Sequence, residues 1–183
     1  MDSIKNKNAA GQATNGINIE QDKDNSKFAF YQLKELYFAN QRKRYPNFPD
    51  DARTSPKYTD KNTKGLTNCV MDYIKFNGYH VERTGCEGRI IDDRKTFTDV
   101  IGRVRTIGTI RRVYSSSQRG TSDLKAIING KFIAIEIKCF ATNDRQSAHQ
   151  KAYQKQIEQS NGIYIIVKTF AQFYDWFNKF VEA

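Results

Sequence analysis

The sequence lacks long apolar runs. No run in its 183 residues approaches the roughly 20 apolar residues that are needed to cross a bilayer. Residues 1–27 contain no apolar segment of the kind that a secretory signal requires. We therefore expect a protein that has no membrane partner and is located in the cytoplasm.

Cysteine, histidine and proline are also scarce. The three cysteines, Cys69, Cys86 and Cys139, stand far apart without a C-x-x-C pair, and their odd number argues against a disulfide framework. Two histidines are too few for a structural zinc site to be expected. All three prolines lie within residues 45–65, which we interpret as an irregular linker.

Positive charge is abundant. The chain has 30 Lys and Arg against 20 Asp and Glu, a net charge of +10, and residues 61–122 hold 12 basic and 6 acidic residues. No acid lies between Asp99 and Asp123, where the basic residues are Arg103, Arg105, Arg111, Arg112 and Arg119. Such a stripe is typical of proteins that bind a phosphate backbone, although a solvated surface has a similar composition.

The apolar pattern predicts alternating helices and strands. Residues 1–26 are polar and aperiodic and are predicted to form a disordered tail. Apolar residues at steps of three and four predict helices over residues 28–44, 66–78, 148–162 and 170–183. The remaining segments predict strands at 79–84, a β-ribbon around Gly108 within 89–114, a hairpin centred on Asn129-Gly130, and a strand at 163–169 that is buried on both faces.

This order of elements indicates an α/β fold with a mixed central sheet flanked by helices. We expect three regions: a tail over residues 1–26, a helix with its linker over 27–65, and the main domain over 66–183.

The predicted hairpin carries three ionisable groups on otherwise apolar strands. If Asn129 and Gly130 are the two loop residues, Asp123 falls opposite Glu136, and Lys138 points to the same face as Glu136. Opposed residues of an antiparallel pair have Cβ atoms about 5 Å apart, where like charges repel. A purely structural role therefore gives no reason to place two carboxylates there.

A divalent cation bound between Asp123 and Glu136 would offset the repulsion of the two carboxylates. Magnesium binds one or two carboxylates together with phosphate oxygens, and it lowers the pKa of a bound water. A neighbouring lysine can position that water or offset charge that develops on phosphorus. The alternative is a hairpin whose solvent-facing side carries a cross-strand ion pair. Ile133, Ile135 and Ile137 fill one strand face while Phe132 and Ala134 begin the other, so the strand is predicted to be central, which favours the metal site.

These motifs resemble the PD-(D/E)xK nuclease superfamily, most closely its virus-type replication-repair nuclease (VRR-NUC) branch. The resemblance covers about residues 66–177, with Ser122-Asp123 in place of the usual Pro-Asp. The matching elements, in order, are Gly120-Thr121-Ser122-Asp123, Glu136-Ile137-Lys138, Ser147-Ala148-His149-Gln150 and the apolar strand 163–168.

The resemblance implies a restriction-endonuclease-like core over residues 66–183 and a role for each site residue. Asp123, Glu136 and the carbonyl of Ile137 would bind Mg²⁺, for which Mn²⁺ can substitute. Lys138 would assist catalysis and Gln150 would orient substrate or water. Further candidates are Gln154 as a reserve for Gln150, and Lys151 with the five arginines of the basic stripe as DNA-binding residues.

One family feature is missing. Many members carry a metal-binding glutamate in the first helix, whereas residues 66–77 contain none. Asn68 or Asp72 would substitute, or this ligand is absent, which leaves the number of bound metals open. His149 is either a general base or an exposed helix residue. The aromatic residues of the last helix either stack on bases or form a core or dimer interface.

We therefore expect a metal-dependent DNA endonuclease that cuts branched or junction DNA and acts as a homodimer. One alternative is a nucleic-acid-binding module that keeps the nuclease fold without its activity. Another is a sequence-specific restriction-type endonuclease, which would need a recognition domain within residues 1–60.

Overall fold

The computed structural model describes residues 19–85, 88–113, 118–140 and 145–183. Within these ranges no helix is long and apolar enough to cross a membrane. The helices are Ile19–Arg44 (α1), Thr63–Phe76 (α2), Ala148–Gln159 (α3) and Phe170–Glu182 (α4). The strands are His80–Arg83 (β1), Arg89–Asp92 (β2), Lys95–Thr98 (β3), Val104–Ile107 (β4), Ile110–Val113 (β5), Leu124–Ile128 (β6), Lys131–Ile137 (β7) and Ile163–Val167 (β8).

The architecture is mixed α/β. A four-stranded sheet has the order β1-β6-β7-β8, in which only the β7–β8 pairing is parallel. Strand β7 is central, as predicted. Strand β8 lies at the edge and is only partly buried, so the prediction of a strand buried on both faces is wrong.

The two faces of the sheet carry different helices. Ile133, Ile135 and Ile137 pack into the main core with residues of α1, α2 and α4. The opposite face carries Ala134 and Glu136, and there Ala134 packs with tyrosines of α3 and β8. This alternation follows from the two-residue period of a strand.

The β6–β7 hairpin has the predicted register. Asn129 and Gly130 both adopt positive φ angles, 48° and 72°, as the two-residue turn of a tight hairpin requires. Ile128 therefore pairs with Lys131, and the ladder continues to Leu124 opposite Ile135.

Both helices near the N-terminus begin earlier than predicted. Helix α1 starts at Ile19, so the predicted tail is too long at its end, and residues 1–18 lie outside the described ranges. Helix α2 starts at Thr63, where the side chain of Asn62 accepts a hydrogen bond from the Gly65 N–H and caps the helix. Ala29 and Leu33 of α1 lie in the main core, so residues 27–65 share that core with residues 66–183.

Strands β2 to β5 form the predicted β-ribbon, with β2 paired to β5 and β3 paired to β4. The terminal turn of the ribbon lies at Asp99–Arg103, where the Gly102 N–H donates to the Asp99 carbonyl. Gly108 lies at the junction of the two strand pairs. A Cβ atom there would come within 2.3 Å of the Asp93 carbonyl oxygen. We call residues 88–113 the arm.

Candidate metal centre and catalytic site

Asp123 stands where strand β6 begins, one step beyond the last ladder pair of the hairpin. Its Oδ2 accepts a hydrogen bond from the Ile137 backbone N–H over 2.9 Å. Its own carbonyl accepts a hydrogen bond from the Thr84 N–H, which follows β1, over 2.8 Å. Asp123 is therefore fixed by both neighbouring strands, through its carboxylate on the β7 side and through its backbone carbonyl on the β1 side.

Glu136 lies next to it on β7 and is 2% exposed. Its Oε1 lies 3.2 Å from the Nζ of Lys138, which is also buried. The same oxygen accepts a hydrogen bond from Nε2 of Gln150, and Oε2 accepts one from the Tyr164 hydroxyl over 3.4 Å. Hydrogen bonding of this kind offsets part of the cost of burying the carboxylate.

Burial and the charge of Asp123 together raise the pKa of Glu136 from 4.5 to about 7, against the opposing effect of Lys138. Two carboxylates are thus close enough for one to resist ionisation near neutral pH. A cation between them would favour the charged form of both.

Gln150 reaches the site because helix α3 begins beside it. Ser147 and Gln150 form a capping box in which the Ser147 side chain accepts from the Gln150 N–H and Oε1 of Gln150 accepts from the Ser147 N–H. The amide end of Gln150 then points at Glu136. Gly120, with φ of 81°, lies against this first turn, where a Cβ atom would be 2.4 Å from the His149 carbonyl.

Tyr164 is a site residue that the sequence analysis missed. The parallel register pairs it with Ala134, which places its side chain on the same face as Glu136. Burial, followed by the charge of Glu136, raises the pKa of the Tyr164 hydroxyl, which therefore stays protonated and donates. Residues 163–167 are apolar almost throughout, and the register between two distant strands does not follow from such a run.

Several predicted alternatives do not reach the site. Gln154 binds Gln146 and Glu158. Asp72 accepts a hydrogen bond from the Tyr58 hydroxyl at 3.1 Å, and Asn68 is exposed on α2. Neither of the last two forms a hydrogen bond or ion pair with the site carboxylates in the described part of the chain.

Among the described residues, no group of three or more His, Cys, Asp or Glu side chains is gathered. The donor set therefore consists of the two carboxylates of Asp123 and Glu136, with the main-chain carbonyl of Ile137 adjacent in sequence. Oxygen donors of this kind fit a hard cation such as Mg²⁺ or Mn²⁺, which fills its remaining positions with water or phosphate oxygens. The residues present fit such an ion.

The predicted DNA-binding residues lie in two places. Arg119 and Lys151 are exposed close to the site in sequence, beside Gly120 and Gln150 respectively. The other four arginines are on the arm. Two of these form ion pairs, Arg105 with Asp99 at 2.8 Å and Arg111 with Asp93 at 3.5 Å.

The remaining candidates have structural positions. His149 is exposed on α3. Phe170, Phe173 and Phe177 of α4 are buried in the main core, while Trp176 and Phe180 stack on each other with ring centroids 5.2 Å apart. The α4 aromatic residues thus serve mainly as core, one of the two readings of that cluster.

No protein-family model matches the chain, and no curated protein matches its sequence. The chemistry of the site therefore has to be inferred from its own side chains.

Proposed function

We propose that the chain is a divalent-metal-dependent DNA endonuclease that hydrolyses phosphodiester bonds, with a restriction-endonuclease-like core of the PD-(D/E)xK type. The observation that carries this proposal is the position of Asp123, one step beyond the Leu124–Ile135 ladder pair, beside buried Glu136, whose Oε1 lies 3.2 Å from the Nζ of Lys138. Lys138 compensates only one of these two negative charges, so a divalent cation would further offset their repulsion. Magnesium is the proposed cofactor, and manganese substitutes for it.

Each residue has one task in this proposal. Asp123, Glu136 and the Ile137 carbonyl hold the cation, which when bound supplies Lewis acidity and a water of lowered pKa. Lys138 faces the scissile phosphate and offsets the charge that grows on its oxygens. Gln150 orients the water or the substrate.

The contacts of Glu136 hold Lys138 and Gln150 beside the proposed metal site. Oε1 of Glu136 binds both Lys138 and Gln150. A cation held by that carboxylate would compete with both donors for the same oxygen. Lys138 and Gln150 would then be available to phosphate and water, which would couple metal binding to substrate binding.

The charge of the chain supports DNA as the substrate. The net charge is +10. Arg119 and Lys151 are exposed, and they lie next in sequence to Gly120 and Gln150. Branched or junction DNA is the proposed form, and a homodimer is the proposed assembly because a symmetric branched substrate presents two scissile strands. Access to such DNA is expected in the cytoplasm.

The test is cleavage of a labelled four-way junction, a flap and a linear duplex, with Mg²⁺ and with EDTA. We expect metal-dependent cutting by the wild type and its loss in Asp123→Ala and Lys138→Ala. Glu82→Gln, which removes an exposed carboxylate from β1, is the matched control and should cut normally. DNA binding without cutting in any metal would indicate a non-catalytic binding module rather than a nuclease. Cutting confined to one duplex sequence would indicate a restriction-type enzyme.

A further inference from the structure

The arm is a part of the fold that the catalytic proposal leaves unexplained. Within the described residues, β2 pairs with β5 and β3 with β4, and none of these strands packs extensively on a helix or on the central sheet. Every residue of β3, β4 and β5 is exposed, as are three of the four in β2. An isolated two-stranded ribbon is only marginally stable in water, so a projecting one is expected to serve contact with something else.

The tip of the arm is apolar and fully presented to solvent. Val100 is 105% exposed and Ile101 is 71% exposed, at the two central positions of the turn. Turns ordinarily use polar residues or glycine at such positions. Two adjacent aliphatic side chains at the far end of a ribbon gain free energy only when a partner covers them.

The turn is held in one conformation by Asp99. Its Oδ1 accepts hydrogen bonds from the backbone N–H groups of Ile101 and Arg103, at 3.0 and 2.9 Å. Its Oδ2 accepts from Nε of Arg105 at 2.8 Å. Gly102 completes the turn with a φ of 77°. The apolar pair is therefore pre-organised, which reduces the entropy that binding would cost.

The charge around the tip identifies the partner. The arm carries seven Lys and Arg against three Asp. Each of these aspartates already binds an arginine: Asp92 with Arg94, Asp93 with Arg111 and Asp99 with Arg105. The excess positive charge attracts a polyanion. The same excess disfavours contact between the tip and the equally basic arm of a second copy.

We propose that Val100 and Ile101 form an apolar wedge that the arm inserts between stacked bases of DNA, while its arginines bind the flanking phosphates. This inference rests on the proposed function for its partner, DNA. A β-ribbon can enter the major or the minor groove, and apolar side chains inserted from the minor groove unstack base steps and kink the duplex. The wedge would favour DNA whose stacking is already interrupted, as at a branch.

The test measures unstacking directly and needs no cleavage. The full chain is titrated in EDTA against a junction and a duplex that carry 2-aminopurine, whose fluorescence rises when it unstacks. We expect a rise with the wild type. In the double variant V100S/I101S the rise should disappear and the affinity should fall roughly 10-fold, since two buried aliphatic contacts are lost. Ile90→Ser is the matched control, because Ile90 is 72% exposed on the same arm at its other end.

Three outcomes would overturn the wedge. The first is wild-type affinity and fluorescence in the tip variant, and the second is an equal loss in the Ile90→Ser control. The third is a tip variant that binds DNA normally but loses self-association in sedimentation, since the tip partner would then be a second copy. Fluorescence enhancement without cutting in Mg²⁺ would support the wedge and contradict the proposed nuclease activity. Cutting without enhancement would support the nuclease activity and contradict the wedge.

Discussion

The backbone N–H of Ile137 donates a hydrogen bond to the side chain of Asp123, 2.9 Å away, at the end of the β6–β7 hairpin. The regular ladder stops one step earlier, at Leu124 opposite Ile135. Oδ2 of Asp123 thus takes the place of a backbone acceptor at the position that follows the last ladder pair. The other oxygen, Oδ1, accepts no hydrogen bond from the residues that the structure describes, and it is the one we assign to the cation.

Because one oxygen of Asp123 accepts a backbone hydrogen bond, a substitution can remove the charge of Asp123 and leave this structural contact in place. Asp123→Asn keeps an oxygen acceptor for the Ile137 N–H but removes the charge that repels Glu136. In EDTA we expect its free energy of unfolding to stay within about 1 kcal/mol of the wild-type value. Excess Mg²⁺ should raise the melting temperature of the wild type and leave the variant unchanged, because only a protein that binds the ion gains stability by mass action.

Differential scanning fluorimetry with and without Mg²⁺ measures both effects. The exposed control Glu82→Gln should respond to Mg²⁺ as the wild type does. Equal stabilisation of wild type and Asp123→Asn would contradict the assignment of Asp123 as a ligand.

The metal-free protein should lose stability as pH rises between about 4.5 and 7. The folded-state pKa of Glu136, about 7, lies above its ordinary value of 4.5, so the folded protein holds this proton more tightly than the unfolded chain does. As pH rises, the unfolded chain loses the proton first, and the free energy of unfolding falls until the folded carboxyl has ionised too. The loss amounts to about 3 kcal/mol.

Chemical denaturation in EDTA at several pH values measures this loss. The difference between the wild type and Glu136→Gln isolates it, because the amide does not titrate. A difference that stays constant from pH 4 to pH 8 would show that the pKa of Glu136 is not raised.

Gly120→Ala should destabilise the protein more than Gly130→Ala. Both glycines have positive φ angles, 81° and 72°, so both variants incur backbone strain of about 1 kcal/mol. Only at Gly120 does the new Cβ meet another segment, 2.4 Å from the His149 carbonyl, whereas nothing lies within 4 Å at Gly130. We expect an additional cost of about 1 to 3 kcal/mol at Gly120.

The same steric clash should displace the first turn of α3 and with it Gln150. Metal-dependent cutting should therefore fall in Gly120→Ala at temperatures where the variant is still folded, and persist in Gly130→Ala. Equal unfolding midpoints for the two variants would show that the loop and α3 are not in close contact.

Tyr164→Phe should raise the pKa of Glu136 further, because the hydroxyl that stabilises the carboxylate is lost. The pH at which the unfolding free energy levels off should move upward, and overall stability should fall by about 1 kcal/mol. Tyr79→Phe is the control, since it removes a 2.8 Å hydrogen bond to Asn129 far from the site. A pH profile that shifts equally in both variants would rule out a specific effect of Tyr164 on Glu136.

The sequence by itself determined the features that depend on neighbours along the chain. Asn129-Gly130 is a two-residue turn whose backbone angles impose the register of the strands on either side, so the approach of Asp123 to Glu136 followed by counting. Ser147 and Gln150, three residues apart, likewise fix the start of α3 through local contacts, because each side chain caps the backbone N–H of the other residue.

The tertiary structure decided what depends on segments far apart. Tyr164 reaches Glu136 only because β8 pairs in parallel with β7 in one particular register, which no local pattern specifies. Gly120 meets α3 only once the sheet has formed. Local geometry thus placed the carboxylates, and long-range pairing supplied the groups that surround them.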